Sequence, residues 1–176
     1  ELIAFLTEQM TAKKGLKIFG KRGTAALQKE LKQLLSQEVM HPVDAKSLTY
    51  EQKVSALRYL MFLKEKRSGE IKCRGCADGR KQRLYKTKEE THAPTVLTEA
   101  MFLTAIFDAL EGRDVAIVDI PGAFMQARID ELIYVKLDGE MVDLIIRLDP
   151  SYSKYVTDEK GKKGIYTERD KALYGT

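Results

Sequence analysis

Two adjacent apolar stretches limit what this chain can become. Thr98 to Leu110 carries polar residues only at Thr98, Glu99, Thr104 and Asp108, and a little further on the run Val115-Ala116-Ile117-Val118 ends on Asp119. A helix apolar on most sides is expected to be buried on most sides, and Gly112 stands where a helix of this kind closes. An unbroken apolar run of strand length reads as a central strand covered on both faces. A chain with both must build a layered α+β core around them. Asp119 then sits at the exit of the buried strand, followed by Ile120-Pro121-Gly122.

The remaining elements follow from period and punctuation. Ala25 to Val39 places Leu27, Leu31, Leu34 and Leu35 at helical spacing, giving an amphipathic helix that His41-Pro42-Val43-Asp44 ends. A second helix is expected from Tyr50, because Thr49 and Gln52 have the spacing of a capping box. Tyr59-Leu60-Met61-Phe62-Leu63, then Lys64-Glu65-Lys66-Arg67, Ser68-Gly69 and Ile71-Lys72-Cys73-Arg74 read as a basic β-hairpin turning at Ser68-Gly69, with helix continuing through Leu63 as the alternative. Leu132 to Leu137 is a strand candidate and Met141 to Leu148 a short helix. Ile165 to Thr167 is a weak strand after the Gly- and Lys-rich turn at Lys160 to Gly164. There are no internal repeats or low-complexity tracts.

Composition excludes several classes. At 44% hydrophobic and 32% charged, the 176 residues suffice for one core and lack the bias of a disordered chain. No uncharged apolar run reaches bilayer length and the first residues lack signal-peptide order, so an intracellular protein without a membrane partner is expected. The chain opens on Glu1 and ends on Tyr174-Gly175-Thr176, which reads as a piece of a longer protein. Cys73 and Cys76 form a single C-x-x-C with only His41 and His92 to join them. A structural zinc site takes four ligands, usually from two such pairs, so two ordinary thiols in a basic loop are expected. Gly75 to Lys81 lacks the spacing of a P-loop.

Charge is unevenly spread. Between Lys53 and Lys88 twelve Lys or Arg face Glu65, Glu70 and Asp78, a net of +9 in a chain whose total is +4, so the remainder carries −5. Such a block suits a phosphate-binding face. A solvated hairpin can carry the same charge.

Asp119 admits two readings. A carboxylate at the end of a buried strand can meet a divalent cation, and nucleotidyl transfer uses two Mg²⁺ ions about 4 Å apart, so several carboxylates must converge. Alternatively, Asp-x-Pro-Gly is turn chemistry and Asp119 only begins a turn.

The wider string resembles the reverse transcriptase of copia-type retrotransposons. Val118-Asp119-Ile120-Pro121-Gly122-Ala123-Phe124 follows the family's first catalytic block, an apolar strand, an Asp and a short turn into Ala-Phe or Ala-Tyr. Ala93-Pro94-Thr95-Val96 is similar to its Ser-Pro-Val-Val, and Lys72-Cys73-Arg74-Gly75-Cys76-Ala77-Asp78-Gly79 to its Lys-Ala-Arg-Leu-Val-Ala-Lys-Gly. Glu131-Leu132-Ile133-Tyr134-Val135 resembles Glu-Glu-Ile-Tyr-Met, and Lys171-Ala172-Leu173-Tyr174-Gly175 resembles Lys-Ser-Leu-Tyr-Gly. The five blocks stand in the family's order, and the resemblance covers the chain from about the first helix to the last residue.

The resemblance implies an α+β fold, a partial right-hand polymerase holding the fingers and the first part of the palm, with antiparallel strands backed by helices. Residues 1–22 form an N-terminal segment of unassigned order and 23–176 the partial reverse transcriptase domain. Asp119 would be the first metal-binding and catalytic Asp, with the backbone carbonyl of Ile120 a further ligand, for Mg²⁺ or Mn²⁺ in the complete enzyme. Lys72 and Arg74 would lie over the triphosphate. Phe124 would place a ring under the incoming sugar, excluding a 2′-hydroxyl, or would pack in the core. Arg80, Lys81 and Arg83 would face template or primer backbone, or water. The implied partners are an RNA template, a DNA primer, deoxynucleoside triphosphates and the rest of the polyprotein, in cytoplasmic particles with nuclear passage of the parent element.

Departures from the family pattern set the rival expectations. The Tyr-x-Asp-Asp block that supplies the other two carboxylates does not occur in the sequence, so this piece alone is expected to be inactive. Cys73 stands for a small residue and Thr176 for Leu. Arg169-Asp170 put two charges where apolar residues are usual, which suggests a drifting copy or an edge strand. The rivals are a non-enzymatic nucleic-acid-binding module and a decayed transposon remnant.

Overall fold

Leucines at helical spacing decide where the core forms. Leu27, Leu31 and Leu34 lie on one face of helix α1 (Ala12–Ser36), and all three are buried. Each such side chain removed from water is worth roughly 1.5–3 kcal/mol. A computed structural model of the chain describes residues 9–84, 87, 95–159 and 161–174, with the side chains of Arg83, Leu84 and Phe124 outside that set. Helix α1 begins well before Ala25, inside the N-terminal segment for which no order was assigned. It is two helical pieces joined at Gly20, whose φ of 50° and ψ of −125° break the helical path. A positive φ of this kind is open to glycine at little cost.

The strands are β1 (Met10–Thr11), β2 (Met40–Val43), β3 (Leu57–Glu65), β4 (Ile71–Ala77), β5 (Tyr134–Asp138), β6 (Thr157–Glu159) and β7 (Lys162–Arg169). The sheet path is β1-β3-β5-β7-β2, with β4 on β3 and β6 on β7. The fold is α+β, a mixed sheet backed by helices. An all-antiparallel sheet was expected, and the correction is β3, which runs parallel to β5 with Leu57 opposite Val135 and Arg58 opposite Lys136. A parallel pair needs a long crossover, which the chain between β4 and β5 provides.

The other helices are α2 (Tyr50–Ser55), α3 (Thr98–Glu111) and α4 (Glu140–Leu148). Thr49 and Gln52 make the expected capping box: the Gln52 amide donates to Thr49 Oγ1 at 3.3 Å and the Thr49 amide to Gln52 Oε1 at 2.8 Å. Helix α4 buries Met141, Val142, Leu144 and Ile145. These join Leu57, Tyr59, Met61, Leu63, Val135, Leu137 and the α1 leucines in the main core. No helix among the described residues is long and apolar enough to cross a membrane.

Several expectations are corrected. Helix α3 forms and closes on a left-handed Gly112, yet none of its residues is buried, and Phe102 is 67% exposed. Helix formation needs only local signals. Burial needs an opposing layer, which the described residues do not give it. Val115 to Asp119 forms no strand and Ile117 is 98% exposed, because a strand exists only where a neighbour takes its backbone bonds.

Cys73 and Cys76 lie on β4, not in a loop. Burial pushes the Cys73 thiol up to about 12 and also raises Cys76, so both stay protonated thiols. Arg169 is not on an edge. Strand β7 pairs with β5 on one side and β2 on the other, and Arg169 is 6% exposed. The edge on that side is β2, which tolerates Pro42 for that reason.

Candidate nucleic-acid interface

The β3–β4 hairpin is two-faced by simple alternation. Tyr59, Met61, Leu63, Cys73 and Ala77 are buried toward the α1 side. Arg58, Leu60, Phe62, Lys64, Lys72, Arg74 and Cys76 occupy the opposite face, since successive residues of a strand point to opposite sides. The turn forms as expected, with the Lys66 amide donating to the Glu70 carbonyl at 2.8 Å.

Register puts like charges together. Lys64 stands opposite Lys72, and Phe62 opposite Arg74. Gln9, Phe62, Lys64, Lys66, Lys72 and Arg74 line a hollow of about 240 Å³. Lys66 is neutralised by Glu70 at 2.5 Å, and the adjacent Lys66 in turn holds the Glu70 carboxyl below its ordinary range. Among the described residues Lys64, Lys72 and Arg74 form no salt bridge. Like charges directly opposite on a sheet are destabilising, so the Lys64–Lys72 pair carries a local cost.

Beneath this face lies Glu30 of α1. Its Oε1 accepts the Gly75 N–H at 2.8 Å. Burial raises its carboxyl above the usual range, opposed by the Gly75 hydrogen bond and by the charges of Lys72 and Arg74.

The other basic residues singled out from sequence are tied to their own chain. Arg80 makes a two-pronged contact with Asp78, Nε to Oδ1 at 2.7 Å and Nη2 to Oδ2 at 2.6 Å, and this guanidinium holds the Asp78 carboxyl low. Lys81 Nζ donates to the Val54 carbonyl at 2.5 Å. The side chains of Arg83 and Phe124 lie outside the described residues. Lys72 and Arg74 are therefore brought together with each other and not with Arg80 or Lys81 by any bond.

Asp119 is exposed on the unpaired segment, and its anchorage lies downstream. The Ala123 amide donates to the Ile120 carbonyl at 3.2 Å, the carbonyl expected to bind a metal, and the Met125 amide to Gly122 at 2.9 Å. Met125 is buried in the core, and a Cβ on Gly122 would come within 2.9 Å of Gln33 Nε2, so the turn is seated against α1. A two-ion centre needs convergent carboxylates. Among the described residues no group of three His, Cys, Asp or Glu could hold a metal ion. Asp119 and Ile120 alone do not fit such a centre.

A larger hollow of about 960 Å³ between β2, β7 and the turn Pro150–Tyr155 is lined by none of the residues expected from sequence to bind metal, nucleotide or nucleic acid. Within it His41 Nδ1 lies 2.7 Å from Asp170 Oδ2, and Lys171 Nζ donates to the Gln37 carbonyl. The residues that sequence reasoning missed are Phe62, Lys64 and Glu30. The period-two alternation through Arg58, Leu60, Phe62 and Lys64 was the available signal for the first two. Nothing local marks Glu30, whose partner is 45 residues away. Comparison of the chain with protein-family models, with curated proteins and with solved structures finds no match.

Proposed function

We propose that this chain is the fingers and first part of the palm of an RNA-directed DNA polymerase of the copia retrotransposon type, and that the outer face of its β3–β4 hairpin receives the phosphates of nucleic acid or of an incoming deoxynucleoside triphosphate. The observation that carries the phosphate reading is Lys64 opposite Lys72 beside Arg74, three cations that form no salt bridge among the described residues around a half-buried Phe62. Phosphate oxygens would supply direct ionic partners to these cations, through charge-assisted hydrogen bonds. The polymerase reading rests on the ordered sequence blocks around Asp119. In it Mg²⁺ would activate the primer hydroxyl and hold the triphosphate, with carboxylates beyond Asp119 supplied from elsewhere in the parent protein.

A second reading is a nucleic-acid-binding module without catalysis. It is favoured by the lack, among the described residues, of any group of three His, Cys, Asp or Glu that could hold a metal ion. Both readings require salt-sensitive binding. A labelled single-stranded oligonucleotide titrated with the full chain at rising salt should give a slope of log K on log salt of roughly −2, since each neutralised phosphate contributes about −0.7. Lys72→Ala with Arg74→Ala should flatten it. A flat response in the unmodified chain would sink the phosphate face.

A further inference from the structure

We infer that Glu30 is a positioning residue of the hairpin face and the internal counter-charge with which a bound phosphate competes for Lys72 and Arg74. This rests on the phosphate reading of that face. Among the described strands β4 pairs only with β3, and the Gly75 amide, which bonds Glu30, lies on the edge of β4 away from β3. Holding that amide fixes the strand next to Arg74 and three residues from Lys72.

The charged and titratable groups near enough to act on the carboxylate are Lys72 and Arg74, from the outer face of β4, Cys73 from its inner face, and Tyr59 from β3. Burial keeps the Tyr59 phenol and the Cys73 thiol neutral, so Lys72 and Arg74 are the charges acting on Glu30. Glu30 itself forms no ion pair among the described residues. Its negative charge draws on the same two cations that a phosphate would use. A phosphate that takes them removes what favours the ionised carboxylate, so phosphate binding and proton uptake by Glu30 are coupled, each promoting the other.

Glu30→Gln separates the two roles, because the amide oxygen still accepts the Gly75 N–H while the charge is gone. Near neutral pH and low ionic strength, Glu30→Gln should bind a labelled single-stranded DNA oligonucleotide roughly two- to fivefold tighter than the unmodified chain. The gap should close as pH falls and the Glu30 carboxyl, which burial holds above its ordinary range, takes up its proton. Glu30→Ala, which loses the amide contact too, should bind more weakly than Glu30→Gln; circular dichroism establishes that it folds, and the Gln variant carries the test where it does not. Equal affinities and parallel pH profiles for Glu30→Gln and the unmodified chain would overturn this inference while salt-sensitive binding leaves the phosphate face standing. Absence of salt-sensitive binding in the unmodified chain would overturn both.

Discussion

The hydroxyl of Tyr59 occupies the space that a side chain at position 75 would need: a Cβ on Gly75 would stand 1.6 Å from the phenol oxygen and 2.4 Å from Cζ. Tyr59 is 1% exposed, and its ring lies over a glycine on the neighbouring strand. Gly75→Ala must push the ring out of a packed core or move β4. Overpacking of this kind costs about 1–3 kcal/mol, occasionally more, and the upper end is expected because the obstacle is a ring inside the core. Urea unfolding should show a lower midpoint at unchanged slope. A midpoint equal to that of the unmodified chain would contradict the contact.

Glu30 makes stability depend on pH in an identifiable direction. Burial raises its folded carboxyl above the ordinary value of 4.5, so just above that value the folded chain holds a proton that the unfolded chain has released. Stability from this group is fully present below the unfolded value and is lost as pH rises through the folded one. Glu30→Gln keeps the hydrogen-bond acceptor and removes the ionisation. It should therefore be the more stable protein at neutral pH, with the difference shrinking as pH falls to about 4.5. Thermal melts at several pH values check this, and a difference that grows on acidification would reverse the sign.

What the sequence made legible is what short-range chemistry specifies. Thr49 and Gln52 cap α2 whatever surrounds them, Gly112 closes α3, and the leucines of α1 find the core because their spacing needs only a helix. The failures are all relational. Val115 to Val118 declare an apolar preference, but a strand needs a neighbour, and no described residue takes that place. The parallel pairing of β3 with β5 joins Leu57 to Val135 across a crossover that no local pattern announces. Arg169 looked like an edge residue because charge suggests exposure, whereas its strand is paired on both sides. At the candidate interface, Lys72 and Arg74 were legible as basic residues in a hairpin. Lys64 became significant only through the register that sets it opposite Lys72.

That register predicts a trade between stability and binding. Lys64→Glu places a carboxylate directly across from Lys72 and near Arg74. Opposite charges in a cross-strand pair contribute roughly 0.2–1 kcal/mol, and a like-charge pair is removed at the same time. The variant should melt at a higher temperature than the unmodified chain while binding single-stranded oligonucleotide less tightly and with a shallower salt slope. Unchanged binding would remove Lys64 from the interface.

Helix α3 offers a different test. Phe102 and Ile106 are 67% and 54% exposed, so polar replacements break no packing. Phe102→Ser with Ile106→Ser should change the stability of the folded chain by no more than about 0.5 kcal/mol apiece, apart from the small helix preference lost. The same pair should reduce dye binding and self-association, because the exposed apolar surface shrinks. A large loss of stability would mean that α3 packs on the core after all.

The Asp119 turn bears most directly on catalysis. Transfer of a nucleotide to a primer hydroxyl needs carboxylates converging on two metal ions. Among the described residues no group of three His, Cys, Asp or Glu could hold one, and Asp119 is exposed on an unpaired segment whose downstream turn is seated against α1 through Gly122. With primer-template, deoxynucleoside triphosphates and Mg²⁺, the chain should give no extension product on a sequencing gel, and Mn²⁺ should not change that. Asp119→Asn should be indistinguishable from the unmodified chain in this assay and in oligonucleotide binding, since Asp119 belongs to no part of the basic face. Incorporation by the unmodified chain that Asp119→Asn abolishes would show that the remaining carboxylates are already within reach, and would turn the turn at Asp119 from one member of a divided site into the centre of a complete one.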